Sequence, residues 1–470
     1  MKYWKKEEIA VKKKMELKKL LKTASKNCTS VEDLLDLISI STFDDIIKSL
    51  NADKWVIKFK TKTIFKLILY SIVESDRLSL RVMSEHSEDP LFQAMSEQEE
   101  GVPISYTTIR NRLNSIKPEF FEKSYAATLQ KLRTQYSTAQ QNEYNIKRYD
   151  STMIHTFSHL LSGMKVGNTS KNKTQTKLVT ELTNDFEVRM DFFKDQAHLS
   201  EETALAESIQ SVMHSKNDLI VFDRGLKSRK TFVGFDDKSL NFVTRLSDNA
   251  NYQLIEMHSE VAHIEDDKLI FLQDSVVYLY GDGKKLVEHP FRLIEMERKT
   301  DKKKIILLTN MGDKLDQIKA KIVENDSNSA DPVNFKHSES IAMSTQEIAL
   351  IYKKRWDIEV LFRFLKQEMN LTHYVCNEPA AIKAMVYCTL IVGMLILIYK
   401  KTNNMPSYKI AKMKFAQELK TDILLEILED PLKNAAFLQL LKKNRERKEA
   451  QKIKNLSKKE RIPRKISSIK

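Results

Sequence analysis

The sequence predicts an α/β fold: a mixed sheet with helices on both faces, interrupted by an inserted β-subdomain and flanked by helical N- and C-terminal regions. Three observations carry this expectation. Helical periodicity fills residues 1 to about 140 and returns after 343. Between about 145 and 246, short bounded runs of bulky residues alternate with helical patterns. From 250 to 312, strand-like runs follow one another without helices between them.

In the N-terminal region, apolar periodicity in Val31 to Ile40, Phe43 to Leu50 and Ile64 to Val73 predicts helices separated by short polar breaks. Gly101-Val-Pro-Ile-Ser105 is a punctuation, and Ser105 then reads as the cap of a helix carrying Thr108, Arg110, Asn111 and Arg112. With Leu78 to Met83 near the start of a preceding helix, this could be the second helix of a helix-turn-helix, and Arg110 and Arg112 become candidate DNA contacts.

At Tyr144 the pattern changes. Asn145 to Ile154 reads as a buried strand, Gly163 to Lys173 as a polar loop, and Lys177 to Thr183 and Phe186 to Phe193 as two strands joined by an Asn184-Asp185 turn. Ser200 opens a helix over Glu201 to His214. Asp218 to Asp223 is a continuous apolar strand of the kind buried on both faces, Ser228 to Gly234 a short helix, and Asn241 to Leu246 a further strand. Strand, hairpin, helix, strand, helix, strand is the plan of an RNase H-like core.

The runs Tyr252 to Met257, Lys268 to Leu272, Ser275 to Tyr280, Phe291 to Met296 and Lys304 to Thr309, with a Gly281-Asp282-Gly283 turn, are too many for the first sheet to take comfortably. They are expected to form the insertion, and the polar stretch Asn325 to Glu339 a loop. Ala380 to Lys400 should be a helix packed on the first sheet. Its apolar run, Ala384 to Tyr399, falls short of the roughly twenty residues a membrane span needs and carries Lys383 and Lys400 at its ends. After Asn403-Asn-Met-Pro406 the chain should be helical to about Leu441, then a basic tail. The boundaries expected are a helical DNA-binding region (1–140), the core's first part (141–249), the β-rich insertion and loop (250–342), the core's second part (343–400), and a helical region with basic tail (401–470).

A formal charge of +14 over 470 residues points to a polyanionic partner, nucleic acid ahead of a membrane surface. Cys28, Cys376 and Cys388 have neither metal-ligand spacing nor the pattern of a disulfide framework, as suits a reducing cytoplasm, and the N-terminus lacks a signal peptide's apolar core.

The chemistry concentrates in one stretch. Ser344-Thr-Gln-Glu347 is a capping box, and at about 100° per residue Tyr352, Arg355, Glu359, Arg363 and Lys366 fall within an arc of roughly 80° of the helix it starts. Ile351, Ile358, Leu361, Phe362, Leu365 and Met369 fall in a separate arc, the side to bury against a sheet. A carboxylate within a column of cations suits a phosphodiester: Arg and Lys take phosphate oxygens while the carboxylate holds a divalent metal. Asp150 inside the first strand and Asp223 at the end of an apolar strand are costly to bury unless paired or bound to a cation. With Glu359 they form a three-carboxylate set whose oxygens favour Mg²⁺ or Mn²⁺. Two such ions about 3.5–4 Å apart would activate a water or 3′-hydroxyl and stabilise the leaving oxygen.

Tyr352-x2-Arg355-x3-Glu359-x6-Lys366 resembles the YREK signature of the DDE transposases of the insertion-sequence-four family. Asp150-Ser-Thr resembles that family's first-aspartate block, Phe222-Asp223-Arg224-Gly225 its second, and Leu308-Thr309-Asn310 the segment leading back from the insertion; the likeness spans about 145 to 395. The resemblance implies that Asp150, Asp223 and Glu359 are the metal-binding catalytic triad and that Tyr352, Arg355 and Lys366 grip phosphates near the cleaved end. It further implies a homodimer that synapses two terminal inverted repeats, excision through a hairpin as in characterised relatives, 3′-hydroxyl attack on target DNA, and a bacterial cytoplasm and nucleoid as the setting. Two positions depart from the pattern. Leu226 stands where an aromatic is common, and none of Trp4, Trp55 and Trp356 lies in the insertion, where relatives stack a flipped base, leaving Tyr252, Tyr278 or Tyr280 for that task. Two other readings stay open: an RNase H-like nuclease without strand transfer, and a domesticated, inactive DNA-binding regulator.

Overall fold

The computed structural model describes residues 30–35, 38, 40–96, 102–136, 144–157, 164–165, 173–183, 186–257, 268–281, 285–326, 342–371, 374–376 and 378–460. The chain divides into two compact units, Tyr136–Arg363 and, from both ends of the sequence, Met1–Gln135 with Phe364–Lys470.

The helical unit opens with α1 (Val31–Leu35), α2 (Ile40–Leu50), α3 (Thr61–Glu74), α4 (Leu80–His86), α5 (Pro90–Met95), α6 (Tyr106–Ser115) and α7 (Pro118–Tyr136). Ser105 caps α6 by accepting from the Thr108 amide, as its sequence indicates. α6 packs on α4, but the connection between them holds α5, so the pair lacks the tight turn of a helix-turn-helix.

The other unit is built on one sheet of ten strands: β1 (Asn145–Phe157), β2 (Met164–Lys165), β3 (Lys173–Thr183), β4 (Glu187–Phe193), β5 (Asp218–Phe222), β6 (Asn241–Arg245), β7 (Tyr252–Met257), β8 (Leu269–Tyr280), β9 (Leu286–Arg298) and β10 (Lys304–Thr309). β3 pairs antiparallel with β1 and β4, while β5 is parallel to β1 and β6 parallel to β5. The order β4-β3-β1-β5-β6 is the RNase H-like arrangement expected from the sequence. The helices α8 (Glu201–Gln210) and α9 (Arg229–Asp237) fall between its strands. The rings of Phe232, Phe235 and Phe242 close around Phe222 in the core beneath them, and Phe291 packs on Phe242.

The inserted strands do not make a separate sheet. β10 pairs antiparallel with β6, and β9, β8 and β7 follow, so the insertion prolongs the core sheet through its open edge. Runs expected at Lys268 to Leu272 and Ser275 to Tyr280 are one strand, β8, with a register shift between Phe271 and Gln273 where the alternation slips. Met164–Lys165, expected in a loop, forms the short strand β2 on β3. The turns at Asn184-Asp185 and Asp282-Gly283 lie outside the described residues, as does most of Asn325 to Glu339. The helix α10 (Asp313–Asp326) fills a stretch for which the sequence suggested no element.

After α11 (Thr345–Lys353) and α12 (Trp356–Gln367), the helical unit resumes with α13 (Pro379–Thr402), α14 (Tyr408–Glu429) and α15 (Pro431–Glu460). α13 is long and apolar enough to cross a membrane by length and composition, yet it is almost wholly buried in the protein. It belongs to the helical unit, where its neighbours include the helices α3, α14 and α6. α15 carries helix through the basic run to Glu460, where an irregular tail was expected. Cys376 and Cys388 are buried thiols, and Cys28 lies outside the described residues.

Candidate active site

Asp150 and Asp223 are brought level by the parallel pairing of β1 and β5. The last paired residues are Arg148 and Val221, so each aspartate stands two residues further on: Asp150 within β1, still paired to Thr180 on β3, and Asp223 just past the end of β5. Each follows a buried aromatic that fixes its strand: Tyr149, whose hydroxyl donates to Glu181 Oε2 at 2.6 Å, and Phe222 within its cluster of rings. Alternation along the strand places Asp150 on the same face as Arg148. Ile348 and Ile351 of α11 cover the neighbouring part of the sheet over Leu219, Val221 and Val243.

The capping box at Ser344 and Glu347 forms as the sequence indicates, both side chains bonding backbone amides. The single helix expected from it does not. The chain turns at Lys354 and Arg355, and α12 restarts at Trp356, with the Arg355 amide donating to Tyr352 O and Ile358 to Arg355 O. Arg148 on β1 pins the restart by pairing with Asp357 at 2.9 Å. Ile358 and Leu361 point into the protein, as their arc predicted.

The break leaves Tyr352, Arg355 and Glu359 converging on Asp223. The Tyr352 hydroxyl donates to Asp223 Oδ1 at 3.0 Å. Arg355 Nη2 donates to Glu359 Oε1 at 2.7 Å and lies 3.8 Å from Asp223 Oδ2. Burial, reinforced by Asp223, holds the Tyr352 phenol well above its usual range, so it acts as a donor. Burial alone would lower the pKa of Arg355, but Asp223, Tyr352 and Glu359 more than reverse this. Burial likewise pushes the Asp150 carboxyl up to about 6; the Ser151 amide opposes the rise, Glu201 adds to it, Arg355 relieves it and Glu359 adds a little more.

Among the described residues, no three Asp, Glu, His or Cys side chains are close enough as they stand to share a metal ion. Glu359 is held by Arg355 instead. Buried polar atoms without a hydrogen-bond partner in this neighbourhood include Arg355 Nε, Arg245 Nε and the hydroxyl of Thr180, the residue across from Asp150 on β3.

Over residues 141–395 the chain matches the family of the transposase DDE domain. The chain belongs to this family. A protein of Sinorhizobium fredii named "Putative transposase y4zB" is 24% identical over 183 residues, which is 39% of this chain and 43% of that protein. A protein of Synechocystis named "Putative transposase for insertion sequence element IS4SA" is 41% identical over 66 residues, 14% of this chain and 19% of that one. The chain thus matches less than half the length of either relative.

The remaining candidates of this DDE domain chain are placed unevenly. Arg363 is exposed on α12; Lys366, on the same helix, is half-buried and belongs to the helical unit. Arg110 is exposed on α6. Arg112 is turned inward: it pairs with Asp53 at 3.0 Å and donates to Phe59 O and Thr61 Oγ1, so its guanidinium ties α6 to the start of α3 instead of facing a groove. Leu226 is buried in the core beside Phe222 and fills the place expected of an aromatic. In the insertion, Tyr252 donates its hydroxyl to Glu295 and Tyr280 is exposed. Two groups near the site escaped the sequence reading. Arg245, at the end of β6, shares Asp248 with Arg224 and lies close enough to influence Tyr352. Glu201, in the first turn of α8, touches Ser151.

Proposed function

We propose that this protein is a transposase that excises and inserts an insertion sequence by metal-dependent phosphodiester hydrolysis and 3′-hydroxyl strand transfer, with Asp150, Asp223 and Glu359 as its catalytic carboxylates. The observation that carries the reading is the meeting of two aspartates, one within β1 and one just past the end of the adjacent parallel strand β5, with Tyr352, Arg355 and Glu359 at the helix break.

The donor set fits a hard divalent cation such as Mg²⁺ or Mn²⁺. All three are carboxylates, and Asp150 has the raised pKa of an anion short of positive charge. When bound, one or two such ions would activate a water or 3′-hydroxyl and stabilise the departing oxygen. The protein's own groups do the rest. Asp150 presents its oxygens from within the paired strand β1 and Asp223 from just past the end of β5. Tyr352 orients Asp223, and Arg355 provides the positive charge nearest the three acids until a phosphate competes for it. Arg363, Lys366 and Arg110 are each assigned to phosphate contacts on duplex DNA, the terminal repeats and the target being the partners, with a homodimer joining two ends.

Cleavage of a labelled duplex carrying the end of the element that flanks the gene tests this reading. Mg²⁺-dependent cutting at that end, lost in Asp223→Ala, is the expected result. Tight end binding without cutting, under Mg²⁺ and Mn²⁺ alike, would establish the inert regulator instead, and cutting with no joined product from paired ends would establish a nuclease.

A further inference from the structure

α8 begins where both aspartate-bearing segments are within reach. Glu201 and Glu202 occupy its first turn, the ordinary place for acidic side chains at the positive end of a helix. Both are engaged beyond the helix. Glu201 Oε1 accepts from Ser151 Oγ at 2.8 Å, and Ser151 immediately follows Asp150. The other flank of the same carboxyl lies against Gly225, two residues after Asp223. A Cβ added to Gly225 would fall 2.6 Å from Glu201 Cδ and 2.9 Å from both Cγ and Oε2. Glu202 accepts from the Ser228 amide a little further along the same connection.

Gly225 is not among the residues at positive φ, so its backbone conformation is open to any side chain. A side chain at Gly225 would meet the Glu201 carboxyl first, so admitting one requires that carboxyl to move away. One carboxyl therefore fills the space between the residue after Asp150 and the turn after Asp223. Its charge also reaches Asp150, where it opposes ionisation of that carboxyl.

We propose that Glu201 is a positioning residue that sets the separation of Asp150 and Asp223, one carboxyl spanning from the Ser151 hydroxyl to the Gly225 backbone. The proposal rests on the reading of these aspartates as the catalytic pair. Glu201 is assigned no direct contact with the reacting phosphate. Removing it lets the Gly225 turn shift relative to β1, and a misplacement of about 1 Å costs up to about a hundredfold in rate.

The test uses the full chain as wild type, Glu201→Ala, Glu201→Gln, Gly225→Ala, the Glu201→Ala/Gly225→Ala double variant and Asp223→Ala. Each is assayed for end binding, for metal-saturated cleavage of the end duplex, and for melting temperature. Glu201→Ala is expected to slow cleavage about ten- to a hundredfold while end binding stays within about twofold. Glu201→Gln keeps both the acceptor and the volume, so it should cleave within about threefold of wild type. Gly225→Ala should lose activity through the clash, and the double variant should cut no worse than Glu201→Ala, because the clashing partner is gone.

Wild-type cleavage by Glu201→Ala overturns the proposal. So does a glutamine variant as impaired as the alanine one, or two single losses that multiply in the double variant. The same cycle read as melting temperature needs no DNA cleavage: Gly225→Ala should lower it in the wild-type background and not beside Glu201→Ala, and equal lowering in both removes the contact on which the proposal stands. Cleavage that survives Asp223→Ala is a separate result; it rejects the assignment of the aspartates and takes the positioning role with it.

Discussion

Two buried arginines of the sheet-containing unit hold carboxylates, and they are satisfied to different degrees. Arg292 on β9 donates through Nε and Nη2 to both oxygens of Asp274 on β8, at 2.6 to 3.2 Å, and through Nη1 to the Met343 carbonyl at 2.7 Å. Thr345, the first residue of α11, donates to the same aspartate at 2.7 Å. Arg355 makes one good bond, to Glu359. It stands 3.8 Å from Asp223 and has a buried Nε with no partner among the described residues. The side chains of Asp223 and Glu359 are 43% and 31% exposed, against 1% for Asp274. The closed pair is scaffold, joining the prolonged sheet to the start of the helix that carries Tyr352. The open one can exchange partners, which is what a site must do if phosphate and metal are to enter it.

The comparison breaks most sharply in activity. Asp223→Ala and Glu359→Ala should abolish metal-dependent end cleavage and leave end binding largely intact, measured by gel shift and by product on a denaturing gel. Comparable loss of binding in both would remove their catalytic assignment.

The closed pair should dominate stability. Arg292→Met strands Asp274 in the interior and should cost about 3–5 kcal/mol, and an Asp274→Leu/Arg292→Met double variant should recover most of it. Denaturant midpoints measure both. A single variant within about 0.5 kcal/mol of wild type would place Arg292 with the exchangeable pairs.

Asp150 gives the pH dependence. Its folded pKa, about 6, lies above the ordinary aspartate value of 3.8, so the folded state holds this proton more tightly than the unfolded state does. Its contribution to stability is full at pH below about 4 and is lost as pH rises through about 6, a change of up to about 3 kcal/mol. Asp150→Asn should therefore match wild type near pH 4 and melt higher at pH 8 without metal. Added Mn²⁺ should raise the melting temperature of wild type more than that of the variant. A pH-independent difference between the two proteins would contradict the burial of an ionised Asp150.

The smallest effect is expected at Lys366. Lys366→Ala should weaken end binding and reduce the slope of log affinity against log salt by about one. An unchanged slope would remove this lysine from the phosphate contacts.

The core plan was legible because strand runs and their helices are written locally: the apolar residues before Asp223 and the Ser105 and Ser344 caps specify their elements from near neighbours. The geometry of the Tyr352 to Lys366 stretch was not legible. A continuous helix would set Tyr352, Arg355 and Glu359 in a column; the turn at Lys354 and Arg355 instead folds Arg355 inward between Asp223 and Glu359. Nothing in the local propensities of Lys-Lys-Arg-Trp marks that break, because Arg148 and Asp357, 209 residues apart, pin it. The joining of β10 to β6 is equally non-local, a choice of edge that alternation within either strand cannot express. Arg112 illustrates the same limit for a side chain: a helix face with Thr, Arg and Asn reads as a DNA surface until Asp53, 59 residues earlier, takes up the guanidinium. Glu201 stayed hidden because an acid in the first turn of a helix already has an ordinary explanation.

The helix α15 changes what the basic C-terminal run can do. Thirty residues of helix make a rod about 45 Å long, whereas the same chain extended could reach about 100 Å and follow a curved backbone. On a rod, charges sit where the 100° step puts them: taking Lys442 as zero, Lys443 falls at about 100°, Arg447 at about 140°, Lys448 at about 240° and Arg445 at about 300°. They ring the helix. A straight duplex laid along it would meet only one side, so roughly half of these cations would face away from that duplex.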